Sequence, residues 1–91
     1  MTPDEDARRG IDASQVLQSA LYKEAFQVVE QRLLNELATI EIDPKRAEYL
    51  RQLIVMGRKY RGYLEQVMVT GKMAEEQRTL MDKMRGKRSL I

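Results

Sequence analysis

The chain is expected to be all-α: an antiparallel helical hairpin of two long helices, followed by a short C-terminal helix, assembled into an oligomeric bundle. Three observations lead there. Ala, Leu, Glu, Lys, Arg, Gln and Met dominate the 91 residues, and these are helix formers. Apolar residues recur at helical spacing over two long stretches separated by one Asp-Pro turn. The chain is too short for a large core, and two helices alone bury little, which favours self-association.

Residues 1–10 are polar and acidic, with Pro3 and Gly10, and are expected to form a flexible tail. The single helical domain is then 11–86. Its first helix is expected over about 13–40. Asp12 suits the N-cap with Gln15 reaching back, and Ile11 and Val16 can form a hydrophobic staple. Tyr22, Phe26, Val29, Leu33, Leu37 and Ile40 step by 4, 3, 4, 4 and 3. Leu17, Leu21, Ala25 and Val28 make a second row beside them, while Gln27, Glu30, Gln31 and Leu34 fall on the other side. An apolar arc this wide exceeds what one partner helix needs and implies two neighbours, one of them another chain or the C-terminal segment.

Glu41-Ile42-Asp43-Pro44 is the turn, with Asp43 at the N-cap, Pro44 at the first helical position, and Ile42 and Ala47 as a small staple. The second helix is expected over about 44–70. Tyr49, Leu53, Met56, Tyr60, Tyr63 and Val67 step by 4, 3, 4, 3 and 4, the 3.5-residue repeat of a coiled-coil seam. This places Tyr60 and Tyr63 in a core or interface. Gly57 and Gly62 lie inside the helix, and a loop at 57–62 is the competing reading. Gly71 suits a helix C-terminus, so a third helix is expected over 72–85, and residues 87–91 are expected to be a basic tail.

Composition excludes several chemistries. The chain has no His, Cys or Trp, hence no imidazole base, thiol nucleophile or His/Cys metal site. The Ser and Thr hydroxyls have no His to activate them. Glu75 and Glu76 are adjacent and diverge on a helix, and the glycines follow no phosphate-loop pattern. No catalytic residue, cofactor or metal is expected. No apolar run could span a membrane, and the acidic N-terminus is unlike a signal peptide.

Charge is divided. Residues 1–43 hold nine acids and four bases, net −5; residues 44–91 hold five acids and twelve bases, net +7. Opposite halves can attract each other or a neighbouring subunit. Alternatively, Arg51, Arg58, Lys59, Arg61, Lys83, Arg85, Lys87 and Arg88 are candidate contacts for nucleic acid or an acidic partner.

Ala25-Phe26 before a Glu-containing helix, then Arg46-Ala47-Glu48-Tyr49-Leu50, then Tyr60-Arg61-Gly62-Tyr63-Leu64-Glu65-Gln66-Val67, then Thr70-Gly71-Lys72-Met73-Ala74, carry a resemblance. Over residues 19–77 the chain resembles a group of small uncharacterised proteins of tailed bacteriophages and prophages, encoded among head and DNA-packaging genes. The stretch 61–72 is its most specific part. The resemblance implies a non-enzymatic phage protein acting by self-association in virion structure or particle assembly. Its expected location is the virion or host cytoplasm, and its expected partners are itself and other phage structural proteins, with non-specific DNA as a further candidate. The rival functions are a DNA-binding packaging accessory similar to a small terminase subunit, and an inhibitor that binds a host protein. The expected interface residues are Phe26, Val29, Leu33, Leu37, Tyr49, Leu53, Met56, Tyr60, Tyr63 and Val67.

Overall fold

The computed structural model describes the backbone of residues 1–89 and the side chains of residues 1–86. Lys87 and Arg88 fall on helical backbone, but their side chains, like residues 90–91, lie outside what is described. The described residues are helical apart from short connections and contain no strand. The helices are α1 (Pro3–Gln18), α2 (Ala20–Leu37) and α3 (Pro44–Ser89).

The N-terminal segment is helix rather than flexible tail. Thr2 caps it: the Glu5 amide donates to Thr2 Oγ1 at 3.2 Å, and the Asp6 amide donates to the Thr2 carbonyl at 3.0 Å. Pro3 occupies the first helical position, where its missing N–H costs nothing. Asp4, Glu5 and Asp6 fill the first turn, where the helix dipole favours acids. Asp12, expected to begin a helix, lies inside α1.

The expected helix over 13–40 is interrupted at Ser19. Its ψ of 126° leaves the helical region, and its hydroxyl accepts from the Tyr22 amide at 3.4 Å. A serine offers the backbone this alternative partner, so it starts a helix more readily than it continues one. α2 ends at Leu37 rather than at residue 40; the Ala38 and Thr39 amides donate to the Leu34 and Glu36 carbonyls. Glu41 then adopts a φ of 64°, reversing the chain direction locally.

The Asp-Pro junction is built as its residues dictate. The Arg46 amide donates to Asp43 Oδ2 at 3.1 Å and the Ala47 amide to the Asp43 carbonyl at 2.9 Å, with Pro44 opening α3. α3 then runs 46 residues without a break. Neither a loop at 57–62 nor a helix end at Gly71 forms. Good helix formers surround each glycine, and ~1 kcal/mol against helix at a single position does not outweigh them.

The chain divides into two compact units, 16–63 and 1–15 with 64–91. In the first, α2 meets α3 in opposite chain order: Glu36 with Arg46, Glu30 with Arg58, Phe26 with Arg61. Its core is Ala47, Leu50 and Ile54, and Leu50 is fully buried. In the second, α1 meets the C-terminal part of α3 in opposite order again: Asp4 with Arg78, Gly10 with Gly71. Ala7, Gly10, Ala13, Gly71 and Ala74 are buried there.

The residues at the centre of the seam are therefore one position over from those expected. In the first unit Ala47, Leu50, Ile54 and Gly57 step by 3, 4 and 3, which is also a 3.5-residue repeat; in the second, Leu64, Met68 and Gly71 step by 4 and 3. Tyr49, Met56, Tyr60 and Tyr63 are exposed and take no place in the core of the chain, and Leu53 and Val67 are half-buried. α3 thus carries two heptad rows, and the row of smaller, aliphatic side chains packs inward, where helices can approach closely.

Candidate functional site

The expected interface residues fall into two groups. On α2, Phe26, Leu33 and Leu37 are half-buried, whereas Val29 is exposed. Phe26 lies against Gly57: a Cβ there would be 3.9 Å from the ring, in ordinary contact. The Arg61 guanidinium covers the ring 5.1 Å from its centroid, and the Tyr22 ring is tilted beside it at 6.3 Å. Phe26 is thus held by a small residue, a cation and a second aromatic. Glu30, expected on the polar side, is half-buried, and its carboxylate accepts from Arg58 Nε at 2.7 Å.

Tyr49 is exposed, with the Arg46 guanidinium 5.4 Å from its ring centroid. Arg46 makes a forked contact to Glu36, Nε to Oε1 at 2.8 Å and Nη2 to Oε2 at 3.2 Å. These hydrogen bonds and the guanidinium charge hold the Glu36 carboxyl below the ordinary glutamate range and raise Arg46. Both side chains are exposed, so the pair orients the junction more than it stabilises it.

The candidate basic contacts also separate. Arg58 is engaged with Glu30 and Arg61 with Phe26. Arg51, Lys59, Lys83 and Arg85 are exposed. In the unit of residues 1–15 and 64–91, Arg78 bridges Glu75 at 2.8 Å and Asp4 at 3.3 Å, hydrogen bonds that raise its pKa. A groove of about 280 Å³ in that unit is lined by residues including Ala7, Ser14, Met68, Lys72 and Glu75.

Among the described residues, no group of three or more Asp or Glu side chains converges to hold a metal ion. No helix among them is long and apolar enough to cross a membrane. What the molecule presents instead is apolar helix surface: Leu21, Val28 and Val29 on α2, and Tyr49, Met56, Tyr60 and Tyr63 on α3. Leu21 and Val28 belong to the second row legible in the sequence but were not among the expected interface residues. The signal was the row itself, stepping 4, 4 and 3 through Leu17, Leu21, Ala25 and Val28.

No family model, curated protein or solved structure matches the chain.

Proposed function

We propose that this chain is a non-enzymatic, self-associating helical protein of a tailed phage or prophage, acting in virion structure or particle assembly. The observation that carries the reading is the imbalance between core and surface. Among the described residues the buried apolar ones are Ala7, Ala13, Ala47, Leu50, Ile54 and Ala74, mostly methyl groups, while four tyrosine and methionine side chains of one α3 row face solvent. Large apolar side chains grouped along one helix row suit an interaction site. The reversed contact order within each unit supports a helical-hairpin arrangement, whose flat sides suit bundle formation. The phage assignment rests on the motif resemblance over residues 61–72.

Light scattering coupled to gel filtration tests self-association: a well-folded monomer at micromolar concentration overturns it. Mass spectrometry of purified particles tests the assembly role; stoichiometric copies in the particle support it, and absence from both particles and assembly intermediates overturns it.

Of its candidate bases, the DNA-packaging alternative keeps Arg51, Lys59, Lys83 and Arg85 exposed and outside the Arg58–Glu30 and Arg61–Phe26 contacts. Sequence-specific DNA binding that resists salt would promote it over the structural role, because contacts to phosphate alone fade steeply as salt rises.

A further inference from the structure

The unit of residues 16–63 exposes two apolar rows, one on each helix, and helix geometry relates them. At about 100° per residue, Leu21, Ala25 and Val28 lie roughly 100–160° around α2 from the inward direction marked by Phe26, Leu33 and Leu37. Tyr49, Met56, Tyr60 and Tyr63 lie roughly 100–160° around α3, in the same rotational sense, from the direction marked by Leu50 and Ile54. The two helices meet in opposite chain order, so equal rotations bring both rows to one side of the pair. The other side carries Lys23, Gln27, Gln31, Glu48, Arg51 and Arg58, with Leu34 and Val55 as its apolar exceptions; on the apolar side the charged exceptions are Arg32, Lys45 and the Glu36–Arg46 pair at the Tyr49 end.

We infer that this apolar side is the interface for a second copy of the chain, with the α3 row of each copy lying on the α2 row of the other about a two-fold axis. The inference rests on the self-association reading and specifies its surface.

Area and charge both point to this occupant. Tyr49, Tyr60 and Tyr63 are 51%, 76% and 59% exposed. At ~150–250 Å² per aromatic side chain, they leave roughly 350 Å² uncovered. Leu21, Val28, Val29 and Met56 extend the same side toward the ~800 Å² that each partner of a standard interface buries. Residues 44–63 hold six bases and one acid, net +5, while residues 20–37 hold two bases and three acids, net −1. Laying α3 on the other copy's α3 would oppose two strongly basic segments; laying it on α2 does not. Arg32 ends the α2 row, where a long side chain can cover apolar surface with its stem and keep its charge at the rim.

A two-fold axis along the helices keeps each residue level with its own counterpart. Because Phe26 sits beside Gly57 within one chain, Val28 of one copy then falls level with Met56 of the other, and Leu21 with Tyr63.

The test uses the full chain, which has no cysteine of its own. Tyr60→Asp and Leu21→Asp, one from each row, alter side chains that are exposed in the single chain. Each should lower the mass in solution to the 10.6 kDa of one copy with unchanged helical circular dichroism. Val28→Cys mixed with Met56→Cys should oxidise to a mixed disulfide, whereas neither variant should cross-link to itself. If the unsubstituted chain is oligomeric but both aspartate variants keep its mass, the surface is wrong while self-association stands. Met56→Cys cross-linking to itself overturns the α3-on-α2 arrangement. A monomeric unsubstituted chain overturns both the inference and the reading beneath it.

Discussion

Gly10 and Gly71 cross backbone to backbone. A Cβ on Gly71 would lie 2.6 Å from Gly10 Cα and 2.8 Å from the Asp6 carbonyl oxygen; a Cβ on Gly10 would lie 2.7 Å from Gly71 Cα. The obstructing atoms are main chain, so no side-chain rotation relieves the clash. Buried Ala7, Ala13 and Ala74 continue the same economy of side chain around the crossing. Close approach here explains why a glycine stands mid-helix at residue 71 without ending the helix.

Gly71→Ala should therefore destabilise the unit built from α1 and the C-terminal part of α3. Overpacking costs ~1–3 kcal/mol, and the better helix propensity of alanine returns only ~1 kcal/mol. Hydrogen exchange should speed up in residues 3–15 more than in 20–37. Unchanged protection in α1 would show that the helices separate without cost.

Gly62→Ala should act in the opposite direction. Nothing lies within 4 Å of a Cβ at this position, and it sits inside α3. Stability should rise by about 0.5–1 kcal/mol through helix propensity and a less flexible unfolded chain. Chemical denaturation measures it; destabilisation would reveal a contact that needs the glycine.

Asp43→Ala removes the acceptor of the Arg46 amide at the start of α3. The expected loss is ~1 kcal/mol, typical of an N-cap. Asp43→Asn should retain most of the stability, because an amide oxygen also accepts that hydrogen bond. Equal losses in the two variants would assign the effect to charge rather than to capping.

The Glu36–Arg46 pair makes a signed pH prediction. The folded carboxyl titrates below the ordinary glutamate range because Arg46 hydrogen-bonds and attracts its charged form. A lowered folded pKa contributes stability that is present above the unfolded value and is lost as pH falls through the folded one. Carboxyl carbon shifts in NMR should give Glu36 a lower midpoint than an unpaired glutamate, and Arg46→Ala should return it to the ordinary range. An unchanged Glu36 midpoint in that variant would remove Arg46 as the cause.

Leu50→Ala should be the most damaging of these substitutions. Leu50 is the one large side chain fully buried among the described residues, and truncating such a leucine costs ~2–5 kcal/mol. Thermal unfolding measures it. A cost no greater than that of Leu53→Ala would place the centre of the seam on the row expected from the sequence.

Much of the architecture was legible in residue order. Helical composition, the two long periodic stretches and the Asp43-Pro44 junction all act over a few residues, so local chemistry suffices to define them. Thr2-Pro3-Asp4-Glu5 carries the same kind of information and sufficed to make α1 helical, although its acidic composition reads as tail. Ser19 was an equally local cap, masked by the strong periodicity on either side.

Tertiary structure alone decided which heptad row of α3 faces inward. Tyr49, Met56, Tyr60 and Tyr63 and the row of Leu50 and Ile54 share one period, and periodicity cannot rank two faces about 100° apart. The choice depends on what the opposing helix presents: the Phe26 ring lies against Gly57, and Glu30 and Glu36 place charge opposite Arg58 and Arg46. The same holds for Gly10 and Gly71. By itself Gly10 reads as part of a tail and Gly71 as a helix end, and only their meeting across sixty residues of chain makes them the point where two helices touch.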